Sequence, residues 1–184
     1  PYAALTPDTL QDALDQAGFR CDGRLLALNS YENRVYQVGQ EEGPPVVAKF
    51  YRPGRWTAAQ VAEEHAFVAE LAEREIPVVA PIRLPSGETL GHHAGFLFAV
   101  YPRRGGRPPD VDRPDTLTWL GRFIGRMHGV GGIRPFTFRP TLDCATFGDA
   151  SVAWLAGSGL VPDDLRPAWE SITALALAGV RNCY

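Results

Sequence analysis

Lys49 lies in the run Val46-Val47-Ala48-Lys49-Phe50, a β-prone stretch that sets one ammonium among apolar residues. A cation held on such a strand can pair with the α- and β-phosphates of a bound nucleotide. Taken alone, it also reads as a lysine on the solvent face of a half-buried strand. Further along comes Glu64, in a stretch where Val61, Glu64, Phe67, Val68 and Leu71 fall at helical spacing. A carboxylate facing the strand from that helix would pair with Lys49 and keep its side chain extended. Its neighbour Glu63 points about 100° away around the helix, and the apolar residues after Glu64 favour Glu64 as the inward one. A third candidate is the connection Asn29-Ser30-Tyr31-Glu32-Asn33-Arg34. It has no glycine, but Asn29 and Asn33 tolerate positive φ, and Ser30 offers a hydroxyl and a backbone N–H to an anion. An ordinary polar hairpin would look the same.

Other chemistries find little support. His65, His92, His93 and His128 lack metal-ligand spacing, apart from the His92-His93 doublet, which reads as part of a Gly-flanked turn. There is no G-x-S-x-G, C-x-x-C, Walker loop or G-x-G-x-x-G. Cys21, Cys144 and Cys183 are odd in number and far apart, so they form no disulfide framework, and free thiols make the cytoplasm the expected compartment. The start lacks the features of a signal peptide, and the absent initiator Met reads as a processed or cut N-terminus. With Lys plus Arg at 18 and Asp plus Glu at 21, the net charge of −3 argues against a general nucleic-acid binder. No apolar stretch approaches the roughly 18–20 residues of a membrane span. A hydrophobic fraction of 45% over 184 residues fits a folded chain of one domain or two small ones.

The elements that must position these residues follow from caps and periodicity. Thr6 and Pro7 open a helix whose stripe is Leu10, Ala13, Leu14 and Ala17, and Gly18 ends it. Leu25–Leu28, Arg34–Val38 and Val46–Tyr51 read as an antiparallel meander. Thr57 caps a helix running to about Arg74, and Ala80–Leu84 and Phe96–Tyr101 read as two more strands. Pro102 to Pro109, rich in Pro, Gly and Arg, is the expected linker. Beyond it a helix over Asp115–Val130 carries Leu117, Leu120, Ile124 and Met127 on one face, and another is expected near Pro167–Ala178. Helix, three strands, helix, two strands, linker and helices is the order of a protein-kinase N-lobe followed by the start of its C-lobe.

Several local motifs carry a closer likeness. They are Asn29 to Tyr36, Lys49-Phe50-Tyr51-Arg52-Pro53 with Arg55-Trp56-Thr57, and Glu63-Glu64-His65. Gly95-Phe96 with Phe98-Ala99-Val100, Gly105-Gly106-Arg107, Gly121-Arg122, Gly125-Arg126-Met127-His128 and Arg139-Pro140-Thr141 extend it. The chain resembles the stress response kinase A family, bacterial Ser/Thr protein kinases with an aminoglycoside-phosphotransferase-like fold, over about residues 5 to 178, whereas residues 179–184 read as unlike it. The implied fold is α+β and protein-kinase-like. It has an N-lobe over 1–101 with a five-stranded antiparallel sheet and one helix, a hinge over 102–112, and a partial helical C-lobe over 113–184.

That resemblance implies ATP as the nucleotide, Lys49 as its phosphate lysine, Glu64 as the partner of Lys49, and Ser30, Tyr31, Glu32 and Asn33 as the phosphate-covering loop. It implies a hinge over Phe98–Pro102 that holds adenine. Pro102 has no N–H to donate, so Ala99 C=O and Tyr101 N–H are the expected acceptor and donor. The family's His-Gly-Asp-x-x-x-x-Asn-type catalytic loop and its metal-binding Asp are not in the sequence. The acidic residues after His128 are Asp143, Asp149, Asp163, Asp164 and Glu170, none in such a context. The expectation is therefore the ATP-binding part of a kinase, truncated before its catalytic loop and inactive as given, with no catalytic or metal residue in this chain. Mg²⁺ and a protein or small-molecule substrate are expected only in a full-length relative. An aminoglycoside- or choline-type kinase fragment and a non-enzymatic nucleotide-binding module are the alternatives. No nucleic-acid or membrane partner is expected, and self-association through exposed C-lobe helices is.

Overall fold

A computed structural model describes residues 1–183 of the chain. Helix α1 (Pro7–Gln16) begins as its caps dictate, with the Thr6 hydroxyl accepting from the Thr9 N–H at 3.2 Å. Gly18 turns the chain at a φ of +84°, a conformation that costs an L side chain strain. Strands β1 (Cys21–Leu28), β2 (Arg34–Gln40) and β3 (Val46–Phe50) form the meander. Helix α2 (Ala58–Glu73) starts in a complete capping box of Thr57 and Gln60. Strands β4 (Gly91–His93) and β5 (Phe96–Pro102) complete an antiparallel sheet of order β1-β2-β3-β5-β4. Helix α3 spans Pro114–Gly131.

The sheet has five strands, as expected, but the fourth lies elsewhere. Ala80–Leu84 is extended and forms no ladder: Pro81 removes an N–H donor within it, and Pro77 and Pro85 bound it. Ile82 N–H reaches Val100 C=O at 2.7 Å. The edge position goes to Gly91–His93, so the His92-His93 doublet lies on a strand rather than in a turn. The turn is Ala94-Gly95, with φ of 47° and 83°, between the paired residues His93 and Phe96. Two central residues at positive φ give the hairpin geometry that matches strand twist.

Strand alternation divides the core. Val46, Ala48 and Phe50 of β3, with Phe96, Phe98 and Val100 of β5, pack on Leu10 and Leu14 of α1. Tyr51 and Ala99, on the opposite face, pack under Val61 of α2. Residues one apart on a strand point to opposite faces, so the sheet is covered by α1 on one side and by α2 on the other. Leu71 and Ile76 meet Val130 of α3 in a third cluster. The Arg126 guanidinium donates to the carbonyls of Arg74 and Glu75 at 3.2 and 3.4 Å, satisfying the open C-terminal end of α2.

The chain divides into two compact units, Pro1–Phe138 and the residues from Arg139 onward. In the second, a π-helical turn (Cys144–Asp149) leads into α4 (Ala150–Gly157), and α5 covers Arg166–Cys183. The first two escaped the sequence reading, and α5 runs beyond the expected end at Ala178. Asp143 caps the π-helical turn by accepting from Thr146 N–H at 2.7 Å, and Asp149 pairs with Arg181. Among the described residues no helix is long and apolar enough to cross a membrane.

Cross-strand from Gly91 lies Phe98, whose ring occupies the space a Cβ at position 91 would need. Phe98 is buried and cannot swing away. Gly91→Ala is therefore expected to lower unfolding free energy by about 1–3 kcal/mol, measured as a lower urea midpoint. An unchanged midpoint would contradict this packing.

Candidate functional site

Parity on β3 puts Lys49 on the α2 side of the sheet, opposite Ala99 of β5 and Val35 of β2. The capping box and the buried Val61 set the rotation of α2, and Glu64, one turn after Val61, faces the strand. Lys49 Nζ lies 3.9 Å from Glu64 Oε1 and 4.6 Å from the centroid of the Tyr51 ring. Both side chains of the ion pair are partly exposed, at 25% and 32%. A pair of this kind adds only about 0–1 kcal/mol to stability after the cost of ordering both side chains. The arrangement is thus better suited to aiming an ammonium than to holding the fold. Lys49 is also the only lysine in the sequence, every other member of its eighteen Lys and Arg being arginine. A compact, three-donor ammonium and a planar guanidinium fork are not interchangeable at a phosphate.

His65 follows Glu64 on α2 and turns into the protein, only 3% exposed. Its Nδ1 is 2.8 Å from Thr89 Oγ1, and its Nε2 is 2.9 Å from Tyr51 Oη and 3.4 Å from Tyr101 Oη. Burial lowers its pKa below the ordinary histidine value; the Glu64 carboxylate opposes that shift and Lys49 adds to it. Burial likewise raises the Tyr101 phenol, against the Tyr51 hydrogen bond. In the sequence His65 reads as a candidate metal ligand and, with Tyr51, as part of the family motifs without a role of its own, and Thr89 carries no signal. The available signal was the lone lysine, with Tyr51 two residues on and therefore on the same face.

The outer side of α2 is engaged as well. Glu63 points away from Glu64, as its position on the helix requires. Its carboxylate accepts from the N–H groups of Thr137 and Phe138 at 2.5 and 2.9 Å. Gln60 donates to Phe138 C=O at 3.0 Å, Phe67 meets Phe136 edge-on at 5.3 Å, and Glu70 pairs with Arg134 at 2.9 Å. These four helix positions share one stripe, which holds residues 134–138 along it. A cavity of about 330 Å³ lies between this segment and Ala59, Ala62 and Ala66, on the side of α2 away from Lys49.

The loop over residues 29–33 is braced rather than open. Ser30 Oγ donates to Asn33 C=O at 2.5 Å, and Asn33 Oδ1 accepts from Arg52 N–H at 3.2 Å. Glu32 accepts from Arg55 Nε and from Trp56 Nε1, both at 3.1 Å, and its C=O accepts from Tyr2 Oη. Its carboxylate is therefore directed at the segment before α2, and its contribution to the loop is the loop's shape. Tyr31 stands fully exposed at the tip.

At the expected hinge the ladder decides which groups are accessible. Tyr51 N–H donates to Leu97 C=O at 2.9 Å, so the backbone groups of Leu97, Ala99 and Tyr101 face β3. The pair read from the sequence, Ala99 C=O and Tyr101 N–H, is turned into the sheet, because residues two apart share an edge. The outward edge belongs to Val100, whose C=O accepts from Ile82, and to Pro102. Tyr101 joins the site through its hydroxyl instead. Among the described residues no three or more His, Cys, Asp or Glu side chains are grouped to hold a metal ion. Mg²⁺ takes near-octahedral oxygen coordination, with carboxylate help. Glu64 is directed at Lys49, and Glu32 at Arg55 and Trp56.

A family model described as the phosphotransferase enzyme family, APH, matches residues 24–181. The chain belongs to this family. It is 40% identical over 183 residues to stress response kinase A of Salmonella choleraesuis (strain SC-B67), an alignment that covers all of this chain and 56% of the relative. Stress response kinase A of Escherichia coli (strain K12) is 42% identical over 179 residues, 97% of this chain and 54% of the relative. A Salmonella typhimurium (strain LT2) relative named serine/threonine protein kinase RdoA is 40% identical over 183 residues, 56% of its length. The chain thus spans about half the length of these relatives, and the likeness continues through residues 179–184, which the sequence reading had set aside. Two solved structures share the fold. Amicoumacin kinase hAmiN, in complex with AMP-PNP, Ca²⁺ and Ami, has a TM-score of 0.70 at 18% identity, covering 93% of this chain and 53% of that one. A microcompartment-associated aminopropanol kinase has a TM-score of 0.64 at 20% identity, covering 81% and 49%. The chain has the expected α+β, kinase-like architecture.

The depressed pKa of His65 has a consequence for stability. The unfolded chain takes up a proton near pH 6.5, and the folded chain resists until lower pH. The contribution of this neutral, buried histidine is complete above about pH 6.5 and is lost as pH falls from there through the folded value. In urea titrations over pH 5–8, His65→Gln is expected to flatten this part of the stability profile. An identical slope in both proteins would contradict the assignment.

Proposed function

We propose that this chain is the ATP-binding part of a bacterial Ser/Thr protein kinase. The observation that carries the reading is the Lys49–Glu64 pair, which aims the chain's only lysine from the centre of the sheet. In phosphoryl transfer the protein contributes mostly positioning and charge neutralisation. Lys49 would neutralise the α- and β-phosphates, Glu64 would keep it extended, and residues 30–33 would cover the phosphates. The strand end Phe98–Pro102 would hold adenine, with a linker over 102–112 between lobes at 1–101 and 113–184. The name of one relative, serine/threonine protein kinase RdoA, supports a protein hydroxyl as acceptor. Free Cys21, Cys144 and Cys183 support a reducing, cytoplasmic setting.

We assign no general base and no metal ligand within this chain. Asp143 and Asp149 serve a helix cap and an ion pair, and Asp163 pairs with Arg166. The chain as given is expected to bind ATP weakly, with little dependence on Mg²⁺, and to transfer no phosphate. Calorimetric titration with ATP checks this. Lys49→Met is expected to weaken binding by about tenfold, which is about 1.4 kcal/mol, and Lys49→Arg is not expected to restore it. Affinity indifferent to Lys49→Met would sink the reading. Tightening by about tenfold or more on adding Mg²⁺, or Lys49-dependent transfer of radiolabelled phosphate to a protein, would overturn the assignment of no metal site and no activity.

A further inference from the structure

We infer that His65 is a positioning residue for Lys49, acting through the ring of Tyr51. The inference rests on the reading of Lys49 as the phosphate lysine and adds a residue to it. An ion pair at 3.9 Å between partly exposed side chains is a loose restraint on a long, flexible lysine. The second restraint is the Tyr51 face, 4.6 Å from the ammonium, where the ring quadrupole attracts a cation. That face steers Lys49 only if the ring itself is held. Tyr51 follows β3 directly, with its N–H in the ladder to Leu97, and its hydroxyl meets His65 Nε2 at 2.9 Å. His65 is fixed in turn by Thr89 at Nδ1 and by the Tyr101 ring, which stands at 88° to it with centroids 6.3 Å apart.

Two consecutive residues of α2 therefore reach the same ammonium. Glu64 does so directly, and His65, turned about 100° around the helix, does so through Tyr51. The charged and titratable groups around the imidazole are Glu64 on its own helix, Lys49 and Tyr51 from the β3 side, and Tyr101 from β5. A satisfied core histidine with no further role would show the same hydrogen bonds. The two differ in what happens to Lys49 when His65 is changed.

The lone lysine makes that difference measurable. In protein labelled with ¹³C only at lysine, Lys49 gives a single ε-methylene NMR signal, which the Tyr51 ring is expected to displace upfield. His65→Ala is expected to move this signal most of the way to the free-lysine position, and Thr89→Val to move it in the same direction by less. His65→Gln, which keeps a polar group near the Tyr51 hydroxyl, is expected to retain most of the displacement. Leu71→Ala, a buried change on α2 in a different cluster, is expected to leave it in place. If His65→Ala fails to fold, Thr89→Val and His65→Gln carry the comparison. An undisplaced wild-type signal, a signal unmoved in folded His65 and Thr89 variants, or an equal shift in Leu71→Ala overturns the inference. None of these arms uses a nucleotide, so they stand apart from the ATP titration of Lys49→Met, whose failure would remove the phosphate reading and leave the positioning result intact.

Discussion

Strand β3 is enclosed on both edges and both faces, and the first unit is organised around that constraint. Its edges are taken by β2 and β5. Val46, Ala48 and Phe50 are buried toward α1, so Val47 and Lys49 must point the other way. A charged side chain on an enclosed strand needs either a partner or an outlet. Lys49 has a carboxylate, an aromatic face and partial exposure, and so remains charged and usable beside a well-packed core. A one-residue slip in register would bury the ammonium against α1 and turn Phe50 toward α2, which makes the fold and the site one requirement.

Helix α2 meets this strand with one stripe and residues 134–138 with another. Three successive side chains divide the work. Glu63 binds two backbone N–H groups of that segment, Glu64 faces Lys49, and His65 enters the Tyr51–Thr89–Tyr101 cluster. Because adjacent helical residues differ by about 100°, the three side chains leave the helix in different directions, and together they fix it in rotation as well as in distance. Arg126 at its C-terminal end and the Thr57–Gln60 box at its start leave little slack along the axis.

The second unit follows a different balance. None of its described residues is buried, and Trp154, Ile172 and Leu175 are largely exposed. A segment this short cannot close a core of its own, so its helices are held by local caps and pairs such as Asp143–Thr146 and Asp149–Arg181. A cavity of about 780 Å³, with Phe147, Leu177 and Val180 in its wall, is left between the π-helical turn and α5.

Helix caps, strand alternation and the family motifs were legible in the sequence because each is local. Thr6, Thr57 and Gly18 mark helix ends by hydrogen-bond geometry that involves only a few neighbours, and Val46 to Phe50 carry their own period. The Lys49–Glu64 pair was legible too, since strand and helix each show an inward face. Pairing of distant edges was not. Ala80–Leu84 has the composition of a strand, but Pro81 within it lacks an N–H and Pro77 and Pro85 flank it, and the three residues Gly91–His93 took the edge because Gly91 admits the Phe98 ring. The direction of Ala99 and Tyr101 depended on the parity of the β3 ladder, which a single strand does not reveal. His65, Tyr51 and Thr89 come from a helix, a strand end and a loop. The sequence by itself determined which residues could carry charge, turn or helix; the tertiary structure alone decided which of them meet, because hydrogen bonds and ring contacts act over a few ångströms and only the folded chain brings those three segments that close.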